Sequence, residues 1–442
     1  MKLDKIAYVK MLRKWIDFEV AKNAFGTLLT KVIGLLGGFV FTLLVSNFFG
    51  LNSLGVYVTI FSLLNIIVIF GKFGLDTAAV SVLSKQESIK LKQMIYKGLL
   101  YKVILISIVV SLIYYFTADF LVANLLNSPE LLDLVKISTF AILPYSIFYL
   151  NIETLRVFNR ITTYSFMYTS IIVIFNILFI VPLIVFKDSL QETLLIYTLI
   201  GSVLLSFFIS CFYIWKVVFN NSLKILISTN SKIEMKYLKL SFPLLLSGAL
   251  YMLMNRMDVL MLSSFCDSAI VGSYNIILKF SSLLPIGVMA TNAMAGPKYS
   301  MLCAKGDFKQ MEKISINSSK LILIIAAGVL VILLLFRLEF LSMFKVEINE
   351  VIIPYIVAIL FSFLYSATGA VGLILQMTGK QNVQMKASIL ALFINIMLNY
   401  FLIPAYGLIG AIIATYTSLT LLNIVLMYIV KKSYGINTLI RI

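Results

Sequence analysis

Apolar runs of roughly 20 to 25 residues, the length that carries a helix across a bilayer, recur along this chain with short basic segments between them. They fall near 24–48, 54–83, 99–118, 134–155, 163–186, 193–215, 238–264, 269–295, 319–336, 352–377, 384–403 and 408–430. Composition closes off a soluble alternative: 61% of the 442 residues are hydrophobic and 12% charged, against about 45–50% and 25% in an ordinary soluble domain. An interior able to hide that much apolar side chain from water is larger than this chain can enclose. The sequence therefore predicts an all-α membrane protein of twelve transmembrane helices.

Lys and Arg set the orientation. Of the 36 basic residues, 27 fall in segments on the side of the chain ends, four on the other side (Lys136, Lys187, Arg337, Lys345) and five inside runs. Positive charge in short loops stays cytoplasmic, so both ends are expected in the cytoplasm. The net charge of +17 is spread among these loops instead of gathered on one surface, which excludes nucleic acid as a partner. Residues 1–23 carry Ile6, Val9, Leu12 and Ile16 with lysines and an arginine between them and read as a cytoplasmic interfacial helix. No cleavage pattern follows the first run, which contains Lys31, so it is read as retained.

The sequence holds no histidine, which removes most zinc sites, every Ser-His-Asp triad and histidine proton relays. Cys211, Cys266 and Cys303 fall at different depths, so no disulfide framework is expected. Gly379-Lys380-Gln381 lacks the Ser or Thr of a phosphate-binding loop. No connection is long enough for a catalytic domain. An enzyme is not expected, nor any cofactor or metal.

An internal repeat organises the chain. Ser46-Asn47-Phe48 and Leu54-Gly55-Val56-Tyr57 match Ser263-Ser264-Phe265 and Val271-Gly272-Ser273-Tyr274 at one constant offset, without a gap, and that offset is close to half the chain. Six spans per copy is an even number, so the copies share one orientation, and parallel repeats place a substrate site between them. The division expected is an interfacial helix (1–23), an N-terminal six-helix lobe (24–215), a polar basic cytoplasmic linker (216–237), a C-terminal six-helix lobe (238–430) and a cytoplasmic tail (431–442).

Two stretches carry a family resemblance. Asn395, Asn399, Pro404, Gly407, Gly410, Ala411, Ala414 and Thr415 resemble the eleventh and twelfth helices of polysaccharide repeat-unit flippases of the multidrug/oligosaccharidyl-lipid/polysaccharide exporter superfamily. Phe242-Pro243 followed by Asn255-Arg256-Met257-Asp258 and Val271-Gly272-Ser273-Tyr274 resembles the seventh and eighth. The resemblance implies a multidrug-and-toxin-extrusion-like fold. It also implies alternating-access translocation of undecaprenyl-pyrophosphate-linked oligosaccharide, for O-antigen (lipopolysaccharide) or capsule, across the bacterial inner membrane. A polymerase or other polysaccharide-assembly protein is an implied partner. On their own physics, Asn395 and Asn399 share a helix face from which their amides reach across helices, and Gly34/Gly38, Gly407/Ala411 and Gly410/Ala414 are small-residue pairs that let backbones approach.

Charge inside a span costs roughly 2.5–3.5 kcal/mol even on insertion scales, so each such residue needs a reason. Arg256 lies 13 residues past Pro243, roughly 20 Å along a helix, and Lys279 ten residues into its span above Pro285; both are assigned to a cavity. Lys31 either joins them or snorkels to the headgroups. Lys102, near a run's end, is read as interfacial. Lys72 and Asp76, four apart beside Gly71 and Gly74, form an ion pair or a gate at a helix break. Asp258 sits about 200° around the helix from Arg256 and needs a partner on another helix, or a coupling cation (H⁺ or Na⁺). Glu153 and Arg156 read as a surface pair.

Arg256, Lys279 and Lys31 are thus candidates to bind an anionic substrate, with Asp258, Asp76 and Lys72 for ion coupling or gating. The positive surplus favours a pyrophosphate-linked lipid over the drug/cation antiporter alternative; a non-transporting membrane partner in polysaccharide assembly is the remaining one. A reporter fused after Ile442, or inserted near Ser228, is expected to be active only in the cytoplasm, and periplasmic activity at either position would overturn the twelve-span map.

Overall fold

In lipid every backbone N–H and C=O must find its partner within the protein, and helices meet that demand segment by segment. The computed structural model describes residues 18–186, 191–219, 231–369 and 371–438, and among them there is no strand. The N-terminal half holds α1 (Phe18–Phe48), α2 (Gly50–Lys72), α3 (Leu75–Leu83), α4 (Ile89–Phe116), α5 (Ile142–Val157), α6 (Ile172–Phe186) and α7 (Glu192–Val217). Short helical turns fill 118–141, and a wide π-helical turn at Met167–Ile171 leads into α6. The C-terminal half holds α8 (Ser231–Phe265), α9 (Ser268–Ser281), α10 (Ile286–Lys305), α11 (Phe308–Leu335), α12 (Ile348–Ala367), α13 (Val371–Met377) and α14 (Gln381–Tyr434).

Several sequence boundaries move. Residues 18–23 of the expected interfacial helix continue into α1, and 1–17 lie outside the described residues. Within the expected linker, residues 220–230 lie outside the described residues, while 231–237 are already the first turns of α8. In the expected tail, α14 runs on to Tyr434, and 439–442 lie outside the described residues. Lys102 is buried midway along α4, not at an interface, because α4 begins ten residues before its apolar run.

Nine described helices are each long and apolar enough to cross a membrane, and the stretch Leu244–Phe265, bent by 41°, makes ten. The expected twelve differ from this number where helices break or double back. The chain turns between Ser281 and Ile286, with Pro285 capping α10, and α9 at 14 residues is too short to qualify alone. The carbonyl this break exposes at Ser281 accepts a hydrogen bond from Ser362 Oγ at 2.7 Å. At 54 residues α14 would be about 80 Å long if straight. It is instead a hairpin: Gly407 is non-helical (φ 54°, ψ −127°), and a Cβ on Gly410 would lie 2.2 Å from the Leu402 carbonyl oxygen. Gly407 is therefore the turn between the two last runs and not part of a packing face. Asn399 and Asn395 also depart from expectation, since the Asn399 amide donates to Asn395 Oδ1 along the same helix at 3.1 Å.

Small residues set the closest approaches. Gly34 of α1 passes the π-helical turn so tightly that a Cβ there would come 2.5 Å from the Thr169 carbonyl oxygen. Between the halves, α2 packs along α8 and α9. There the repeat's own glycines face each other: a Cβ on Gly55 would meet the Ser268 carbonyl oxygen at 1.7 Å, and one on Gly272 the Leu51 carbonyl oxygen at 2.3 Å. These are equivalent contacts, because Leu51 and Ser268 are themselves related by the repeat offset.

Alanine for glycine in a helix ordinarily stabilises by up to about 1 kcal/mol. Gly98→Ala on α4, where the added Cβ meets nothing within 4 Å, is expected to hold or raise the melting temperature in detergent. Gly410→Ala is expected to lower it, by about 1–3 kcal/mol of overpacking, because the atom in the way is backbone.

Candidate functional site

Below the glycine contact the halves part around a cavity of about 130 Å³. On α2, Leu54, Tyr57, Val58 and Phe61 line it with the i, i+3, i+4, i+7 spacing of one helix face. Asn275 and Lys279 come from α9, one and two turns beyond Gly272 on its face. Gly38, Phe41 and Thr42 of α1, residues 172, 173 and 176 of α6, and Arg256 of α8 complete the wall. Both halves thus contribute, but both cations belong to the C-terminal one.

Arg256 and Lys279 are half-buried and line the same cavity. Among the described residues neither has an ion-pair partner, and no carboxylate lines the cavity. The Arg256 guanidinium is held by an aromatic face, its central carbon 5.2 Å from the centre of the Phe61 ring. Phe61 in turn stacks on Tyr57 (5.9 Å, 14° between planes), and Tyr57 packs against Phe41 at 4.8 Å. A guanidinium set over an aromatic ring gains a cation–π attraction that leaves room for a separate acceptor. The Lys279 ammonium lies against Gly38, where a Cβ would stand 3.1 Å from Nζ.

The other candidate residues lie elsewhere. Lys31 is exposed on α1 and does not line the cavity. It is seven residues before Gly38, hence on the same helix face and about 10 Å along it. Lys72 and Asp76 form their ion pair at 2.5 Å across the break between α2 and α3, where Phe73 (φ 50°) and Gly74 (φ 68°) are left-handed. The Lys72 ammonium also sits 4.4 Å over the Tyr149 ring. A Cβ on Gly74 would lie 2.5 Å from the Ser241 carbonyl oxygen of α8, so this break abuts the other half. Glu153 and Arg156 do pair, at 3.4 Å, and Tyr164 donates to the same carboxylate.

Asp258 is buried within the C-terminal half, apart from the cavity. The Tyr274 hydroxyl donates to its Oδ2, as does Thr415 Oγ1 at 3.3 Å. Its partners on other helices are hydroxyls, with no cation among them. The repeat explains the position: its offset carries Phe41 onto Asp258 and Tyr57 onto Tyr274. The Phe41–Tyr57 ring contact of one half thus becomes a carboxylate–tyrosine hydrogen bond in the other.

Charge cost located the two cations but not the uncharged wall. Phe61 looks like any core aromatic in a sequence this apolar. Asn176 and Asn275 were detectable, since an amide inside a span is also costly.

Comparison with known proteins agrees with this architecture. The family model described as polysaccharide biosynthesis protein matches residues 20–297, and the MatE model matches residues 243–401. No curated protein sequence matches. Among solved structures the chain is similar to the lipid II flippase MurJ in an inward closed conformation, at 16% identity over 93% of this chain and 87% of that one (TM-score 0.74). It is similar to an inward-facing multidrug resistance MATE family transporter of the MOP superfamily, at 12% identity over 93% and 98% (TM-score 0.73). A third is a MOP superfamily transporter from Pyrococcus furiosus Vc1, described by the reverse polarity of its binding pocket, at 12% identity over 94% and 95% (TM-score 0.64). At these identities the likeness to solved structures is one of fold, while the family match spans well over half of the sequence. The chain belongs to the polysaccharide biosynthesis protein family, as a multi-pass membrane flippase or transporter of the MOP superfamily with a multidrug-and-toxin-extrusion-like fold.

Proposed function

We propose that this protein moves an undecaprenyl-pyrophosphate-linked oligosaccharide from the cytoplasmic to the periplasmic leaflet of the bacterial cytoplasmic membrane. It does so through twelve passes arranged as two six-helix lobes that open alternately to each face. The observation that carries this reading is the positive charge of Arg256 and Lys279 in a cavity to which no carboxylate among the described residues contributes. A half-buried cation without a counter-ion is costly, and an arriving anion relieves that cost. Pyrophosphate oxygens suit the Arg256 guanidinium, which can bond them in pairs. Asn275 and Thr42 offer an amide and a hydroxyl to sugar. A cationic drug would meet repulsion in the same place.

Lys31, on the cavity-facing side of α1, extends the positive path toward the cytoplasmic face, the side assigned by the 27-to-4 bias of basic residues. The Lys72–Asp76 pair sits where α2 and α3 meet α8, a position suited to gating. Asp258, enclosed by hydroxyls, suits a coupling proton or Na⁺. On the periplasmic side the product passes to polysaccharide-assembly proteins such as a polymerase.

Two measurements test this reading. Arg256→Lys keeps the charge and loses the fork, and Arg256→Ala loses both, so export should fall in that order with membrane abundance unchanged. Charge-assisted hydrogen bonds worth about 1.5–3 kcal/mol correspond to about a 10- to 150-fold weaker hold on substrate in the alanine variant. Normal export by well-inserted Arg256→Ala would remove Arg256 from the site. For coupling, flipping by purified protein in vesicles should respond to an imposed ion gradient or potential, about 2.3 kcal/mol per charge per 100 mV. Asp258→Asn should flip at a rate that no longer follows the gradient. Indifference of the unaltered protein to collapse of every gradient would leave substrate concentration as the driver.

A further inference from the structure

The duplicated hairpin does more than bring Gly55 and Gly272 together. Asn47, just before the first hairpin turn, donates from Nδ2 to the Met343 carbonyl oxygen at 2.7 Å, and Lys345 Nζ donates back to the Asn47 carbonyl oxygen at 3.0 Å. Its counterpart in the second hairpin, by the repeat offset, is Ser264. Ser264 Oγ donates to the Leu125 carbonyl oxygen, and Asn127 Nδ2 donates back to the Ser264 carbonyl oxygen at 3.1 Å.

The pattern is the same twice. A hairpin side chain bonds a loop carbonyl of the opposite half, and the side chain two residues further along that loop bonds the hairpin carbonyl in return. The loops correspond as well. Leu125 maps to within one position of Met343 under the repeat offset, as Asn127 does to Lys345, and the last two share a left-handed backbone (φ 50° and 53°). Contacts in which i meets j and j meets i define an isologous interface, here formed within one chain.

The side chains differ, since an amide and an ammonium stand at the two returning positions, so the bonding pattern has outlasted the residues that make it. The set lies at the end of the bundle away from α14's C-terminus, and the cavity begins directly beneath it, at Leu54. We propose that these three contacts, the central glycine pair and the two reciprocal latches, form one pseudo-symmetric clasp that closes the cavity to the outer face and opens as a unit. Closure is tight because it is made by backbones. With Cβ positions at 1.7 and 2.3 Å from opposing carbonyl oxygens, neither glycine can gain a methyl unless the halves separate.

The proposal rests on the alternating-access part of the preceding section, and its readout needs no substrate, so the failure of one is distinguishable from the failure of the other. In full-length protein with Cys211, Cys266 and Cys303 replaced by Ser, Asn275→Cys places a thiol in the cavity. A membrane-impermeant maleimide added to intact cells reports whether that thiol is open to the outside. Labelling is expected to be low in this background and to rise about fivefold or more with Gly55→Ala, the change in ratio that overpacking by one methyl can bring about. Gly272→Ala should act alike, and Gly328→Ala, whose Cβ would meet nothing within 4 Å, should not.

If the glycine variants fail to insert, Asn47→Ala with Lys345→Ala, at a half-buried and an exposed latch position, is expected to raise labelling in their place. Glu130→Cys, in a loop at the same end, should label freely; its protection would overturn the outward placement of the clasp. Unchanged labelling in the inserted latch double variant, or a response to only one of the two inserted glycine variants, would overturn the clasp as a symmetric closure.

Discussion

Where α2 and α9 cross, no side chain separates their backbones, because Gly55 and Gly272 occupy equivalent places in the two copies of the repeat. That contact fixes which faces the two helices turn inward. On α9 the face that begins at Gly272 carries Asn275 and Lys279 into the cavity, and on α2 the adjoining stripe from Leu54 to Phe61 forms the opposite wall. A larger residue at either glycine would move every one of these groups. The interior of the site is thus a consequence of how closely two helix backbones approach one turn above it.

Three ways of holding charge within the membrane lie side by side here. Lys72 and Asp76 neutralise each other four residues apart, which keeps the broken second span inexpensive. Asp258 is surrounded by hydroxyl donors from two other helices. Arg256 and Lys279 are the exception. The structure supplies an aromatic face for one and a glycine surface for the other, but among the described residues no carboxylate for either. On the proposed reading, neutralising them internally would stabilise the empty protein and weaken its hold on an anion.

Duplication made the lobes similar without making them equivalent. Tyr57 and Tyr274 occupy matching positions, yet the first stacks in an aromatic series ending at Arg256 and the second bonds a carboxylate, because position 41 is Phe and its counterpart 258 is Asp. One substitution in one copy separates an aromatic cavity wall from a buried acid.

Much of this was legible in the sequence because lipid imposes local rules. Span-length apolar runs, the break at Gly74 and the depth of Arg256 and Lys279 each depend on residues near one another in the chain, and the repeat shows itself by comparing one half with the other. The sequence also offered an ion pair between Lys72 and Asp76, four residues apart, as one of two readings, and they do pair, across the break between α2 and α3. It could not show that Asn399 would bond Asn395 instead of another helix, that Lys102 would be buried, or that Phe61 would be the group beneath Arg256. Nor could it name Tyr274 and Thr415 as the residues that bond Asp258. Apart from the Asn395–Asn399 pair, those outcomes join residues far apart in the chain, and all of them follow from helix rotation and from how near two backbones can come. An apolar sequence leaves both undetermined, since lipid and protein interiors accept the same side chains; only the packed helices decide which polar groups meet.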